Sequence, residues 1–525
     1  MPSVTTTVTS GGNSTPALGV DDRTEELRLA ISASPQVVDA VRRPFCPFTA
    51  VLLLIVLGLV FALSRGRVAD PDIWWHLHNA QYLLQNHALP RYDMYSFTVA
   101  GHPWINHEWL SEIPFYLAWR LLGLSGIDAV TITLLSLIYL GVLYLAWKES
   151  GNFKAASIAT VCAIFLGRAS FGPRTILLGY ACLVGLLIIL QRIRQRRRTP
   201  LWLIPPVFCL WINAHGSWSL GIIVLSVVIA GGFLKPRHGL VQDEPWAGSE
   251  RTKLLWTCAA SVAFLFVNPY GWRLVFYPLD LAFRQKTNIE HVTEWVSLNF
   301  HEPRGKFALL LLIVMVLNTL LRSRRLWSVT DLALVSFGVY SGLTYVRFLC
   351  LMGILLAPVL AKMLDFVPHY RPDLETPIIN VLVALLIIAG IVHYWPKQSS
   401  LANTVQAQYP IGAVSYLKTH PLNGPMLNYY LWGGYLNWQE PSVKVFIDGR
   451  ADIFDYSGVF REYLDVIGIQ RPDAVLEKYK IRYLLFPHNE PFAYVMERNA
   501  GWRIAYSDGN SVLFERSNTG GEVTK

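Results

Sequence analysis

Long apolar runs recur along this chain, each approaching the ~20 residues that cross a ~30 Å hydrocarbon layer. They fall at Pro47–Ser64, Ala129–Trp147, Ala155–Leu166, Ile176–Leu190, Leu201–Ile212, Trp218–Leu234, Leu254–Val267, Phe307–Leu321, Thr330–Tyr345, Leu349–Leu364 and Ile378–Tyr394. Trp109–Leu122 is either a separate interfacial helix or part of the second span. Upstream, residues 1–44 are rich in Ser, Thr and Gly and then charged, which predicts a disordered tail with at most one short helix near Glu25–Ile31. Downstream, residues 397–525 switch to short strand-like runs (Val443–Ile447, Arg482–Phe486, Trp502–Tyr506, Val512–Glu515) and helix-like ones (Ile411–Thr419, Ala474–Lys480). Ser507-Asp508-Gly509-Asn510 reads as a hairpin turn between the last two strands. The pattern predicts a polytopic α-helical membrane bundle of about eleven transmembrane helices over 45–396, followed by a small soluble α/β domain.

Composition agrees with a membrane protein. Of 525 residues, 53% are hydrophobic and 15% charged, with mean hydropathy +0.35, where a soluble domain carries about 25% charged residues. The net charge of +9 does not point to nucleic acid, because Lys and Arg gather in alternate loops. These carry Lys148 and Lys154; Arg192 to Arg198; Lys235 to Lys253; Arg322 to Arg325; and Lys362 with Arg371. That bias puts the N-terminus in the cytoplasm and, with eleven spans, the C-terminal domain outside. The first run follows Arg42 and Arg43, far from the N-terminus and without a small-residue cleavage site, so it reads as a retained span rather than a signal peptide. The six Cys lie in or beside apolar stretches and away from His clusters, which argues against a zinc site or a disulfide framework.

The outer loops 65–112 and 268–306 concentrate Trp, His, Asn and charged residues, and function is expected there. In Asp70-Pro71-Asp72-Ile73-Trp74-Trp75-His76-Leu77-His78-Asn79, Asp70 reads as an N-cap with Pro71 at the first helical position. Asp72, His76 and Asn79 then share one face. A carboxylate there suits a general base for a hydroxyl acceptor or a ligand for a divalent cation such as Mg or Mn, while cap and helix-dipole roles account for the same residues structurally. His107 and Glu108, between Trp104 and Trp109, form either a solvated pair in an aromatic belt or a sugar-facing wall. Arg168, Arg174, His215, Glu294, Trp295 and Arg347 stand at other outward span ends. They either anchor their helices or converge on a cavity, where Arg would bind phosphate oxygens. Asp448 and Arg450 in the tail read as an internal ion pair. There is no Walker loop, dinucleotide fingerprint, nucleophile elbow or HExxH pattern.

The Asp70–Leu77 stretch, His107-Glu108-Trp109, Ala214-His215-Gly216, Asn268-Pro269-Tyr270-Gly271, Glu294-Trp295, Trp432-Gly433-Gly434-Tyr435 and Asp448-Gly449-Arg450 carry a resemblance. Together they resemble bacterial membrane proteins related to the GT-C superfamily of polyprenyl-phosphate-dependent glycosyltransferases, from about Phe45 to Arg516. The resemblance implies inverting transfer of a sugar from a polyprenyl-phosphate donor to a glycan, lipid or protein acceptor, at the outer face of the bacterial inner membrane. It implies Asp70 or Asp72 as base, with His76 and Glu108 beside it. Arg168, Arg174 and Arg347 are assigned to the donor phosphate by charge, and His107, His215, Glu294 and Trp295 to substrate contacts. Some superfamily members use a metal, for which Asp72 with His76 or Glu108 is the candidate set here. The Asp-Pro-Asp spacing and Trp-Trp-His continuation differ from the acidic pairs of the protein mannosyltransferase and aminoarabinose transferase branches, so neither donor nor acceptor is carried over. A flippase for a lipid-linked intermediate, or an envelope-assembly scaffold, are the alternatives; polar residues gathered at one face favour the enzyme.

Overall fold

The computed structural model describes residues 46–517 apart from 69, 196, 235–236, 239–240, 243–245, 293 and 323–326. The expected N-terminal tail and the helix near Glu25–Ile31 lie outside the described residues. Each of the eleven expected runs is helical. In chain order the helices of this region are α1 (Phe48–Ser64), α2 (Ile73–Asn86), α3 (Trp109–Leu122), α4 (Leu124–Ser150), α5 (Phe153–Gly167), α6 (Ile176–Arg194), α7 (Ile204–Ala214), α8 (Trp218–Gly231), α9 (Gly248–Phe264), α10 (Trp272–Arg284), α11 (Lys286–His291), α12 (Pro303–Leu321), α13 (Val329–Thr344), α14 (Leu349–Met363) and α15 (Pro377–His393). Among the described residues, five helical segments (the helices α4, α5, α6, α12 and α14 with adjoining turns) are long and apolar enough to cross a membrane alone. The others are shorter or more polar. α15 continues past a 58° bend into a further helix, Gln398–Gln408.

Local chemistry explains the breaks. α4 ends at Gly151, whose φ of 67° is the left-handed conformation glycine tolerates, with Gly151 N donating to Trp147 O at 2.8 Å. Asn152 then caps α5 by accepting from Lys154 N at 3.0 Å. α14 is the central helix, buried along almost its whole length against α4, α5 and α13. Opposite the long loops, four helices are clasped by charge: Arg194 pairs with Asp331 (2.5 Å) and Lys362 with Glu149 (3.4 Å).

The C-terminal region forms a four-stranded sheet, β1 (Met426–Asn428), β2 (Tyr483–Pro487), β3 (Trp502–Ser507) and β4 (Ser511–Arg516), in the order β1-β2-β4-β3. β1 runs parallel to β2 and the other pairings are antiparallel. The turn at 507–510 forms as expected, with Asp508 Oδ1 accepting from Asn510 N and Ser511 N at 2.9 and 2.7 Å. Val443–Ile447 is the correction. It forms no strand and makes a single bridge to the first long loop instead of joining the sheet: Val445 N donates to Tyr95 O and Phe97 N to Val445 O, both at 3.1 Å. Met426–Asn428 supplies the parallel edge strand instead, and the Asn428 side chain accepts from Phe446 N at 2.8 Å, satisfying one backbone group of the displaced run.

Candidate active site at the loop face

Two carboxylates two residues apart are given different environments. Asp70 Oδ1 accepts from Asp72 N (3.1 Å) and its Oδ2 accepts from Arg174 Nε (2.9 Å). With Asp70 committed to Arg174, the helix begins later than expected: Asp72 is the N-cap and Ile73 the first residue of α2. Asp72 accepts from the indole of Trp75 at 3.1 Å. It is half-buried beneath the C-terminal domain, where a Cβ added to Gly449 would fall 1.9 Å from its Oδ1. A Cβ on Gly434 would likewise fall 2.8 Å from Pro71 O. Glycine at both positions is what lets the domain close on the start of α2. Burial, and then the neighbouring Asp70 charge, push the Asp72 carboxyl up to about 7, against the opposing pull of His76, Trp75 and Arg174.

Arg174 also pairs through Nη2 with Glu294, so its guanidinium is shared between two carboxylates. Arg347 is placed differently. It stacks 4.2 Å above the Trp295 ring, and its buried Nε has no hydrogen-bond partner among the described residues. Arg168 is exposed on a short turn, where its carbonyl accepts from Arg67. Burial, then the charges of Arg168 and Arg304, lower the Arg67 pKa, which marks a group of like charges that an anion would relieve.

A second network adjoins the first. His76 and Asn79 share the expected face of α2, and both reach Glu112 on α3, at 2.9 and 3.1 Å, with Asn106 donating to its other oxygen at 2.8 Å. Asp72 does not join them, since its carboxylate turns to Trp75 and Gly449. Burial lowers the His76 pKa, but the hydrogen bond to Glu112 and the charges of Glu108 and Glu112 outweigh it and the net shift is upward. Burial also raises Glu112, so the two groups compete for one proton. Four residues before Glu112, Glu108 is ringed by His215 Nε2 (3.1 Å), Thr175 Oγ1 (2.9 Å), and the Nε2 atoms of His76 and His107, each at 3.6 Å. Those partners hold Glu108 well below the usual carboxylate range although burial opposes them.

Three histidine nitrogens around a carboxylate invite comparison with a metal site, and the donors do not fit one. His215 Nδ1 accepts from Ser217 N at 2.9 Å, so in the neutral ring Nε2 carries the proton and donates to Glu108. His76 Nδ1 is held by Glu112 and Asp72 by Trp75. Among the described residues no three His, Cys, Asp or Glu are grouped to hold a metal ion.

The C-terminal domain is fixed to this face by a dry charge cluster. Arg450 donates to both Asp448 oxygens (2.9 and 2.7 Å) and pairs with Asp93 at 2.7 Å, with all three side chains buried. The internal pair expected from sequence is therefore half of a joint between the domain and the first loop. Beside the Glu108 network, a cleft of about 700 Å³ opens between α3, α7 and α9, walled mainly by Leu110, Leu210, Phe264 and Phe266. The Trp109–Asn213 hydrogen bond, 3.1 Å, lies at its wall.

Sequence reasoning passed over Glu112, Thr175 and Tyr277. Glu112 had a readable signal, since it lies one helical turn from Glu108. Thr175, and Tyr277 of α10, whose ring stacks on His107, had none, because segments far apart in sequence bring them in.

The chain shares its overall fold with a solved structure. It is similar to an oligosaccharyltransferase from Archaeoglobus fulgidus solved with a tethered acceptor peptide containing the NVT sequon, at TM-score 0.50 and 13% identity, over 90% of this chain and 74% of that one. ArnT from Cupriavidus metallidurans, bound to undecaprenyl phosphate, gives TM-score 0.49 and 12% identity over 90% of this chain and 98% of that one. No protein-family model and no curated protein sequence matches the chain.

Proposed function

We propose that the protein is an inverting glycosyltransferase that takes a hexosyl or pentosyl group from a polyprenyl-phosphate donor and passes it to an envelope acceptor hydroxyl. In this reading the bundle of eleven spans lies in a bacterial inner membrane, with the N-terminus cytoplasmic and the loop face and C-terminal domain outside. The carrying observation is Asp72, a carboxyl pushed up to about 7 at the seam between the bundle and its covering domain. A base of that strength can take a hydroxyl proton near neutral pH.

The acceptor oxygen attacks the anomeric carbon and Asp72 takes its proton. The bond from the anomeric carbon to the phosphate oxygen breaks, and the lipid phosphate leaves with the electron pair. Asp70 keeps Arg174 next to Asp72 and tunes its basicity. Arg347, stacked on Trp295 with a free Nε–H, is the cation best able to grip the leaving phosphate, and Arg67 with Arg168 adds positive field. His107, His215 and Glu294 line the substrate side. The apolar cleft beside Trp109 suits the prenyl chain. No step is assigned to a divalent cation.

Asp72→Asn and Asp70→Asn, made separately in membranes supplied with lipid-linked sugar, test this. The first abolishes transfer; the second weakens it. Undiminished transfer by both variants would overturn the assignment.

A further inference from the structure

Helix α10 is the most sharply two-sided helix among the loops. At about 100° per residue, Trp272, Phe276, Leu279 and Phe283 fall within about 60° of one another. They are 63%, 52%, 54% and 74% exposed. Leu274 and Tyr277, on the opposite side, are buried. Arg273, Asp280 and Arg284 mark one flank. Four large apolar side chains in a row are out of place against water. The stripe follows directly on the exposed Phe264, Phe266 and Val267 at the end of α9, from which the Asn268–Gly271 turn separates it. A two-faced helix with aromatic residues on its apolar side and Arg on its flank lies in the plane of a membrane interface.

The buried side of α10 leads elsewhere. Tyr277 stacks on His107 with ring centroids 4.4 Å apart, and its hydroxyl donates to Asp452 Oδ2 at 3.0 Å. Just beyond, Asn288 N donates to Asp455 Oδ2, also at 3.0 Å. Both acids sit on the domain helix Ala451–Tyr456, directly after Arg450.

We propose that α10 is seated in the lipid leaflet at the loop face by Trp272, Phe276, Leu279 and Phe283, and acts as a strut that fixes the C-terminal domain relative to that lipid surface through Tyr277–Asp452, with Asn288–Asp455 from the following helix α11 as a second tie. The partner is the lipid surface itself. The apolar stripe runs on from the lipid-facing wall of α9, and the Arg-bearing flank meets headgroups. This concerns where a loop helix rests and stands independently of glycosyl transfer.

The test uses the full-length protein with its native cysteines replaced, Phe283→Cys labelled with a polarity-sensitive nitrobenzoxadiazole probe, in vesicles of equal parts phosphatidylglycerol and phosphatidylcholine. A nitroxide on the upper acyl chain should remove most of the emission, while aqueous iodide should remove little. A probe at the exposed loop residue His301→Cys should respond in the opposite sense. Adding Phe276→Glu should move the Phe283 probe towards iodide. Iodide quenching of the Phe283 probe without that change would overturn the proposal. So would resistance to both quenchers with cross-linking between copies, which would make the stripe a protein interface.

Discussion

Replacing Asp72 by Asn should stabilise the protein while silencing it. The carboxyl rises from an ordinary 3.8 to about 7 on folding, so the folded chain holds this proton more tightly than the unfolded one. The stability this group contributes is complete below pH 3.8, falls as pH rises, and is fully lost above about pH 7. At about 1.4 kcal/mol for each tenfold change in proton affinity, the loss at pH 8 amounts to about 4 kcal/mol at most. Asn is isosteric, can still accept from the Trp75 indole and never ionises, so the variant escapes that loss. Thermal unfolding in lipid nanodiscs, followed by tryptophan fluorescence, should give a midpoint several degrees above the parent's at pH 8, and less than half that gain at pH 5. Transfer assayed in the same preparation should be absent. A midpoint at pH 8 equal to or below the parent's would refute the claim that an ionised, confined carboxylate sits under the domain. The expected combination is that of a group kept for function at the expense of stability.

Transfer in the parent should rise with pH through about 7, falling nearly tenfold for each unit below it; Asp70→Asn removes the neighbouring charge that raises Asp72, so the midpoint of its residual activity should move to lower pH. Arg450→Met leaves Asp93 and Asp448 buried without their cation and should cost about 3–5 kcal/mol, seen as faster trypsin cleavage of the C-terminal domain; adding Asp93→Asn and Asp448→Asn should recover much of it. Gly449→Ala drives a methyl group against Asp72 and should cost about 1–3 kcal/mol and most of the activity, with the bundle's helical circular dichroism unchanged. Arg347→Gln removes a charge-assisted phosphate contact and should weaken donor binding by about 1.5–3 kcal/mol, read as a raised KM for the lipid-linked sugar with a smaller change in kcat.

Apolar periodicity determined much of this protein. Lipid demands that each crossing segment satisfy its own backbone, so an apolar run can be read as a helix without knowing its neighbours. The 507–510 turn and the helix at Ile411–Thr419 were legible for a similar reason, since local hydrogen bonds decide them. The shared face of His76 and Asn79 was legible from helical spacing, and the structure brings both to Glu112. What could not be read were decisions made between distant segments. Val443–Ile447 has strand composition, yet the first loop claimed its edge and Met426–Asn428 entered the sheet. Asp70 and Asp72 look interchangeable in sequence; Arg174, about a hundred residues on, engages one, and Gly449 closes over the other. Glu108 gathers three histidines from two loops, and Arg450 finds its second carboxylate in Asp93. Patterning along the chain sets which segments are helical, whereas charges confined away from water take their roles from whichever partners the fold brings within a few ångströms.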